Sequence, residues 1–230
     1  MAKYKHIFFD LDHTLWDYER NATETLERIY SEFQLAQHSP NVELFCTEFF
    51  RVNDELWTLY RNNKIKREEL NITRFAGAIP ALKDNSKLIG QISNYFIEEC
   101  PKKAHLVDGA LELLDYLKTK HYHLYIVTNG HDKMQNEKIK SSGIGHFFTR
   151  VYTSEGIGAK KPHKKYFEYA IKSSNALKKE SIVIGDNYEA DILGAKNFGV
   201  DQIFYNPRKN QFPLKATFEV EKMSEISSIL

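Results

Sequence analysis

Apolar and polar positions along the chain fall into two textures. The first apolar run, Ile7-Phe8-Phe9, is short, aromatic and β-branched, and it stops abruptly at Asp10. Such a run reads as a buried central strand with carboxylates at its C-terminal end. Residues 17 to about 101 repeat their apolar positions at three- and four-residue steps: Leu26, Ile29, Tyr30 and Phe33, then Phe45, Phe49, Val52 and Leu56, then Leu59 and Tyr60. These are amphipathic helix patterns. Breaks near Ser39-Pro40, Lys64 to Lys66 and Gly77 to Pro80 divide the stretch into four helices, a small bundle.

From about residue 102 short apolar runs alternate with helical periods. Leu111, Leu114 and Leu117 mark a helix, followed by the strand Leu124 to Val127 and a helix from Lys133 to Ser141. The strand Arg150 to Thr153, a helix from Lys164 to Ser173 and the strand Ile182 to Ile184 come next. A helix near Ala190 to Phe198 and the strand Gln202 to Tyr205 follow, and the tail from Ala216 adds an edge strand and a short helix. Alternation of this kind implies right-handed βαβ units and a parallel sheet. The expected fold is α/β: a parallel-sheet core over residues 1–16 and 102–230, interrupted by a helical-bundle cap over 17–101.

Bulk properties narrow the partners. The 230 residues, 42% hydrophobic and 27% charged, suffice for a core domain plus a smaller one. A formal net charge of +1 argues against a surface for nucleic-acid polymers or anionic membranes. The apolar run near the start is too short for a signal-peptide core or a membrane span, so a cytoplasmic location is expected. Cys46 and Cys100 have no metal-ligand or CxxC spacing and read as small buried residues. A monomer or weak homo-oligomer is expected.

The chemistry gathers at strand ends, where open parallel sheets bind ligands. Strand one gives Asp10-Leu11-Asp12-His13-Thr14 and strand two gives Thr128-Asn129-Gly130. Lys161 follows strand three, and Gly185-Asp186 with Asp191 follows strand four. Carboxylates clustered this tightly repel one another unless a cation neutralises them, and an all-oxygen set suits Mg²⁺. Asp10 is placed to accept a phosphoryl group as an acyl phosphate, and Asp12 to protonate the leaving oxygen and deprotonate the attacking water. Lys161, the Thr128 hydroxyl and the backbone N–H groups of Asn129 and Gly130 are candidate phosphate ligands. Asp186 is the second metal carboxylate, and Asp191 orients either metal-bound water or Lys161.

These residues resemble the haloacid dehalogenase-like hydrolase superfamily, whose four motifs appear in order as Asp10-x-Asp12-x-Thr14, Thr128, Lys161 before a proline, and Gly185-Asp186 through Asp191. The resemblance spans essentially the whole chain, including a helical cap of the C1 type. It implies a Rossmann-like core, Asp10 as nucleophile and Asp12 as acid/base. It also implies Mg²⁺ on the Asp10 side chain, the Asp12 backbone carbonyl and Asp186. Retention of Asp12 resembles a phosphatase or phosphomutase rather than a true dehalogenase. His13 to Asn21, Thr128 to His131, Gln135 and cap segments from Leu56 to Phe75 are similar to the pyrimidine 5′-nucleotidase branch.

Specificity is expected from the cap, because the core motifs contact only the phosphate and the metal. Trp16, Tyr18, Trp57 and Tyr60 are candidates for stacking a base, each with a plain helix-packing alternative. Arg74 either reaches a phosphate or base oxygen or lies on a solvated helix face. Asn53 and His131 are further candidates; His121 and His123 read as surface residues. The expected substrate is a small phosphomonoester, first a nucleoside monophosphate. A sugar phosphate hydrolysed or isomerised on the same fold is the alternative, and a non-catalytic binding module the third.

Overall fold

The computed structural model describes residues 3–230 and separates into two compact units. One comprises the chain through Tyr18 together with Ala104–Leu230; the other is Glu19–Lys103.

The first unit is built on six parallel strands in the order β3-β2-β1-β4-β5-β6. They are β1 (His6–Phe9), β2 (His123–Thr128), β3 (Arg150–Thr153), β4 (Ser181–Gly185), β5 (Asp201–Tyr205) and β6 (Phe218–Val220). β1 lies between β2 and β4, with Phe9 in register with Ile126 on one side and Ile184 on the other. Strand order therefore reverses next to β1, which opens a crevice above its C-terminal end. The helices of this unit are α5 (Ala110–Thr119), α6 (Asp132–Ser141), α7 (Ser154–Ile157), α8 (Lys164–Ser173), α9 (Gly194–Phe198) and α10 (Met223–Ile226). Phe8, Tyr125, Val127 and Val183 form one sheet face, packed against Tyr166, Phe167 and Ala170 of α8 and Ala195 and Phe198 of α9. Burial of each of the larger side chains among these contributes roughly 1.5–3 kcal/mol of hydrophobic stabilisation.

The other unit holds four α-helices: α1 (Tyr18–Glu32, whose first residue falls in the core unit), α2 (Val42–Arg61), α3 (Arg67–Ala78) and α4 (Ser86–Glu99). Asn41 and Asn85 cap α2 and α4 by accepting from Leu44 N and Leu88 N. The rings of Phe49, Phe75 and Phe96 meet one another at 5.1–5.6 Å. The guanidinium of Arg74 lies 4.6–5.7 Å from all three. Arg74 is thus not on a solvated helix face: at 3% exposure it is an interior cation on aromatic faces. Among the described residues no helix is long and apolar enough to cross a membrane. Both cysteines are buried thiols.

Candidate active site

The sheet ladder continues past β1. The Asp10 N–H donates to the Ile184 carbonyl at 2.8 Å, fixing the backbone up to the carboxylate. Lys161, 1% exposed, directs its ammonium at Asp10 Oδ1 (2.7 Å), Asp191 Oδ1 (2.6 Å) and the Val127 carbonyl (2.7 Å). An ammonium has three donors, and all three are engaged. In this structure the Lys161 ammonium holds two carboxylates and a backbone carbonyl. Asp191 accepts from Lys161, the contact that one of its two expected roles requires.

Burial opposes the charged form of Lys161, but the Asp10 and Asp191 carboxylates outweigh it and raise its pKa. Burial raises Asp10 above the usual carboxylate range, opposed by Lys161 and reinforced by Asp191. Asp191 is raised likewise by burial, opposed by Lys161 and reinforced by Asp186.

Asp186 follows β4 and is tied to Thr14: its N–H donates to Thr14 Oγ1 at 3.1 Å, and the Thr14 hydroxyl donates to Asp186 Oδ1 at 3.2 Å. Burial pushes Asp186 up to about 6; the nearby Asp10 charge adds to this and His13 opposes it. Gly185 gives the turn its room. A Cβ there would lie 2.7 Å from Asp191 Cβ, closer than real side chains come.

Carboxylate oxygens of Asp10, Asp186 and Asp191 lie within 4.8 Å of one another. Among the described residues, the four carboxylates of Asp10, Asp12, Asp186 and Asp191 stand around two paired ammonium groups, those of Lys138 and Lys161, with His13 near Asp186. Four against two leaves a surplus of two negative charges, the balance that one divalent cation closes. The donors are all oxygen, and the residues present fit a magnesium-type ion.

Asp12 points to other partners. Its Oδ1 accepts from Lys138 Nζ at 2.5 Å and its Oδ2 from Gln135 Nε2 at 2.8 Å. Burial would raise its pKa, but the Lys138 charge and the hydrogen bonds of Lys138 and Gln135 outweigh this and lower it. Gln135 also donates to Thr128 Oγ1 at 2.6 Å, and the Gly130 N–H donates to the same oxygen at 3.0 Å. The Gly130 N–H, expected to face phosphate, is therefore directed at Thr128. Thr128 Oγ1 accepts both of these bonds, which leaves its own hydroxyl proton to donate. A Cβ on Gly130 would come 2.7 Å from Gln135 Cγ, so the absence of a side chain makes room for Gln135. Asn129 braces the neighbouring loop. Its side chain donates to the Lys161 carbonyl (2.9 Å) and accepts from the Lys161 N–H (2.8 Å).

Trp16 does not offer a stacking surface. It is 0% exposed, with the Lys138 ammonium 4.4 Å from its ring. Tyr18 is also buried, 5.6 Å from that ammonium and 4.8 Å from the His13 ring. Trp57 and Tyr60 meet edge to face beside Val52, Leu56 and Leu70, and Asn53 is buried on the same helix. His131 occupies the position before α6, 4.0 Å from Glu155. His121 sits in a left-handed turn and His123 stacks on His6 at 5.1 Å, both away from the acidic cluster. Lys138 was not foreseen as a site residue. The available signal was its place three residues after Gln135, on one face of α6.

An anionic, oxygen-lined crevice at the reversal of a doubly wound parallel sheet marks an α/β enzyme active site. The family model described as haloacid dehalogenase-like hydrolase matches residues 7–205, and the chain belongs to that family. It is similar to the HAD-hydrolase YfnB of Bacillus subtilis, 30% identical over 235 residues, covering 100% of this chain and 97% of the relative. A crystal structure of YfnB bound to magnesium superposes with a TM-score of 0.87 at 27% identity, covering 99% of both chains. Pyrimidine 5′-nucleotidase PynA of Streptococcus pneumoniae is 30% identical over 233 residues, covering 99% of this chain and 95% of its own. Pyrimidine 5′-nucleotidase YjjG of Escherichia coli is 26% identical over 231 residues, covering 99% and 98%.

Proposed function

We propose that the chain is a magnesium-dependent phosphatase that hydrolyses nucleoside 5′-monophosphates through a phosphoaspartate on Asp10. The observation that carries this reading is the placement of Asp10. Its carboxylate stands at the end of the central strand, at the sheet's reversal, held by Lys161 and within reach of the Asp186 oxygens. Two relatives that align over nearly the whole chain bear the name pyrimidine 5′-nucleotidase, which supports the substrate class.

Asp10, Asp186 and the Asp12 backbone carbonyl would hold the ion. When bound, it neutralises charge on the phosphoryl oxygens and on the carboxylates around them. The chain's own residues do the rest. An Asp10 oxygen bonds to phosphorus as the bond from phosphorus to the ester oxygen breaks. The released electron pair stays on that oxygen, which takes a proton from the Asp12 carboxyl, and the alcohol departs. Because Asp12 is held ionised at rest, that proton arrives with the substrate or from solvent. A water oxygen then bonds to phosphorus, the Asp12 carboxylate takes its proton, and the bond from phosphorus to Asp10 breaks. The sum is ester plus water giving alcohol plus phosphate. Thr128 donates to a phosphoryl oxygen throughout, while Lys161 keeps Asp10 oriented.

The test is phosphate release from UMP, dUMP, dTMP, AMP and several sugar phosphates with magnesium. Release from pyrimidine nucleotides, lost in EDTA and in Asp10→Asn, is the expected result. Unchanged turnover in Asp10→Asn would overturn the nucleophile assignment, and preference for a sugar phosphate would replace the substrate class.

A further inference from the structure

We propose that Lys138 is a positioning residue for Asp12: together with Gln135 it clamps the Asp12 carboxylate in place as the base that activates water against the phosphoenzyme. This rests on the phosphoaspartate reading above and adds a residue to it.

The geometry has the form of a clamp. Each Asp12 oxygen takes one donor from α6, Lys138 Nζ on Oδ1 and Gln135 Nε2 on Oδ2. Two donors on two oxygens fix the plane of the carboxylate as well as its position. A carboxylate offers about four lone-pair sites, so about two remain for a water proton. Exposure is one-sided. The Lys138 side chain is 4% accessible and that of Asp12 is 26%, so the clamp faces the protein and the free lone pairs face the crevice.

This pair differs from the surface ion pairs of the chain, such as Lys172–Glu168 and Arg51–Glu55, whose side chains are 43–75% accessible. Exposed pairs of that kind contribute little. The Lys138 ammonium instead sits over the rings of Trp16 (4.4 Å) and Tyr18 (5.6 Å), where water is excluded and the ion pair is held more tightly. Gln135 Nε2 bridges Asp12 to Thr128 Oγ1, so the base and the phosphate-facing hydroxyl share one support.

A base must be aimed. Removing Lys138 takes away one of the two anchors on the Asp12 carboxylate, and loss of that aim slows the hydrolytic half-reaction. The first half-reaction is spared when the leaving group needs no proton. p-Nitrophenyl phosphate meets that condition, because nitrophenolate departs unaided.

The experiment is rapid-quench kinetics with p-nitrophenyl phosphate and magnesium on Lys138→Met, with its thermal melt recorded alongside. We expect kcat to fall about 10- to 100-fold, KM to fall with it, and kcat/KM to hold within about threefold. A burst of nitrophenolate approaching one equivalent per site should appear, matched by an acyl phosphate that is absent in Asp10→Asn. Lys138→Gln, one atom shorter but still carrying an N–H donor group, should give a smaller burst, and it decides the matter if Lys138→Met does not fold. A parallel fall in kcat and kcat/KM without a burst, in folded variants, would overturn the clamp. Asp12→Asn separates the two ideas. A burst there but in neither Lys138 variant sinks the clamp alone, whereas no burst and no loss in Asp12→Asn removes the base role and the clamp with it.

Discussion

Asp186→Asn provides a quantitative check on the charge balance of the site. Asp186 titrates at about 6 in the folded protein against an ordinary 3.8, chiefly because burial disfavours its ionised form. The folded state therefore binds a proton more tightly than the unfolded state does. Below 3.8 both states are protonated and Asp186 has no effect. Between 3.8 and about 6 stability falls as pH rises, and above that window the full cost persists. At about 1.4 kcal/mol per pH unit, the cost is on the order of 3 kcal/mol in the absence of a cation. The Asn variant keeps an oxygen to accept from the Thr14 hydroxyl and removes the charge. For a chain of this size 1 kcal/mol corresponds to about 2–4 °C. In EDTA at pH 7.5 Asp186→Asn should therefore melt up to roughly 6–12 °C above the parent. At pH 4 the difference should shrink towards zero. Magnesium should reverse the ranking at pH 7.5 by stabilising the parent alone. The assay is scanning calorimetry of both proteins across pH 4–8, with EDTA and with magnesium. A parent-minus-variant difference that stays flat across this range in EDTA would refute the reasoning.

Other outcomes follow from the same packing. Gly130→Ala places a methyl 2.7 Å from Gln135 Cγ, so overpacking should cost about 1–3 kcal/mol in chemical denaturation and displace the amide from Asp12 and Thr128, lowering turnover. Lys161→Met leaves two buried carboxylates without their shared cation. Urea denaturation at pH 7.5 should show a loss of about 3–5 kcal/mol, partly recovered at low pH where those carboxyls are neutral. Tyr166→Phe removes a hydroxyl that donates to the Tyr152 carbonyl at 2.6 Å and lies 3.2 Å from the Thr128 carbonyl. A loss of about 1–3 kcal/mol in the same assay is expected, with magnesium binding preserved.

Much of the fold was legible because its signals are local. Strands such as Arg150–Thr153 and helices such as Lys164–Ser173 stand where run length and period put them. The acidic residues were legible because a parallel sheet delivers strand ends to one rim, so order along the chain translates into proximity. What escaped depends on tertiary surroundings. The helix expected near Ala190 begins as a π-helical turn, Tyr188–Leu193, in which the Ile192 N–H donates to the Asn187 carbonyl, five residues back, at 3.4 Å. Apolar period does not encode so wide a turn. The short helix Ser154–Ile157 was passed over because four residues carry no period. Arg74 and Lys138 resisted reading for one reason: long cationic side chains usually reach solvent, and only packed aromatic rings reveal that these two do not. The same packing withdraws Trp16 from any role as a platform.

The paired hydrogen bonds between the Asn129 amide and the Lys161 backbone reproduce, with a side chain, one rung of a strand ladder. Lys161 is thereby pinned to the loop that follows the neighbouring strand β2, in addition to the segment that leads to it. Because Ile157 and Ala159 pack against the core, the exposed left-handed turn at Gly158 is the place in the stretch from Glu155 to Lys160 where an insertion could be grafted while the ammonium keeps its address.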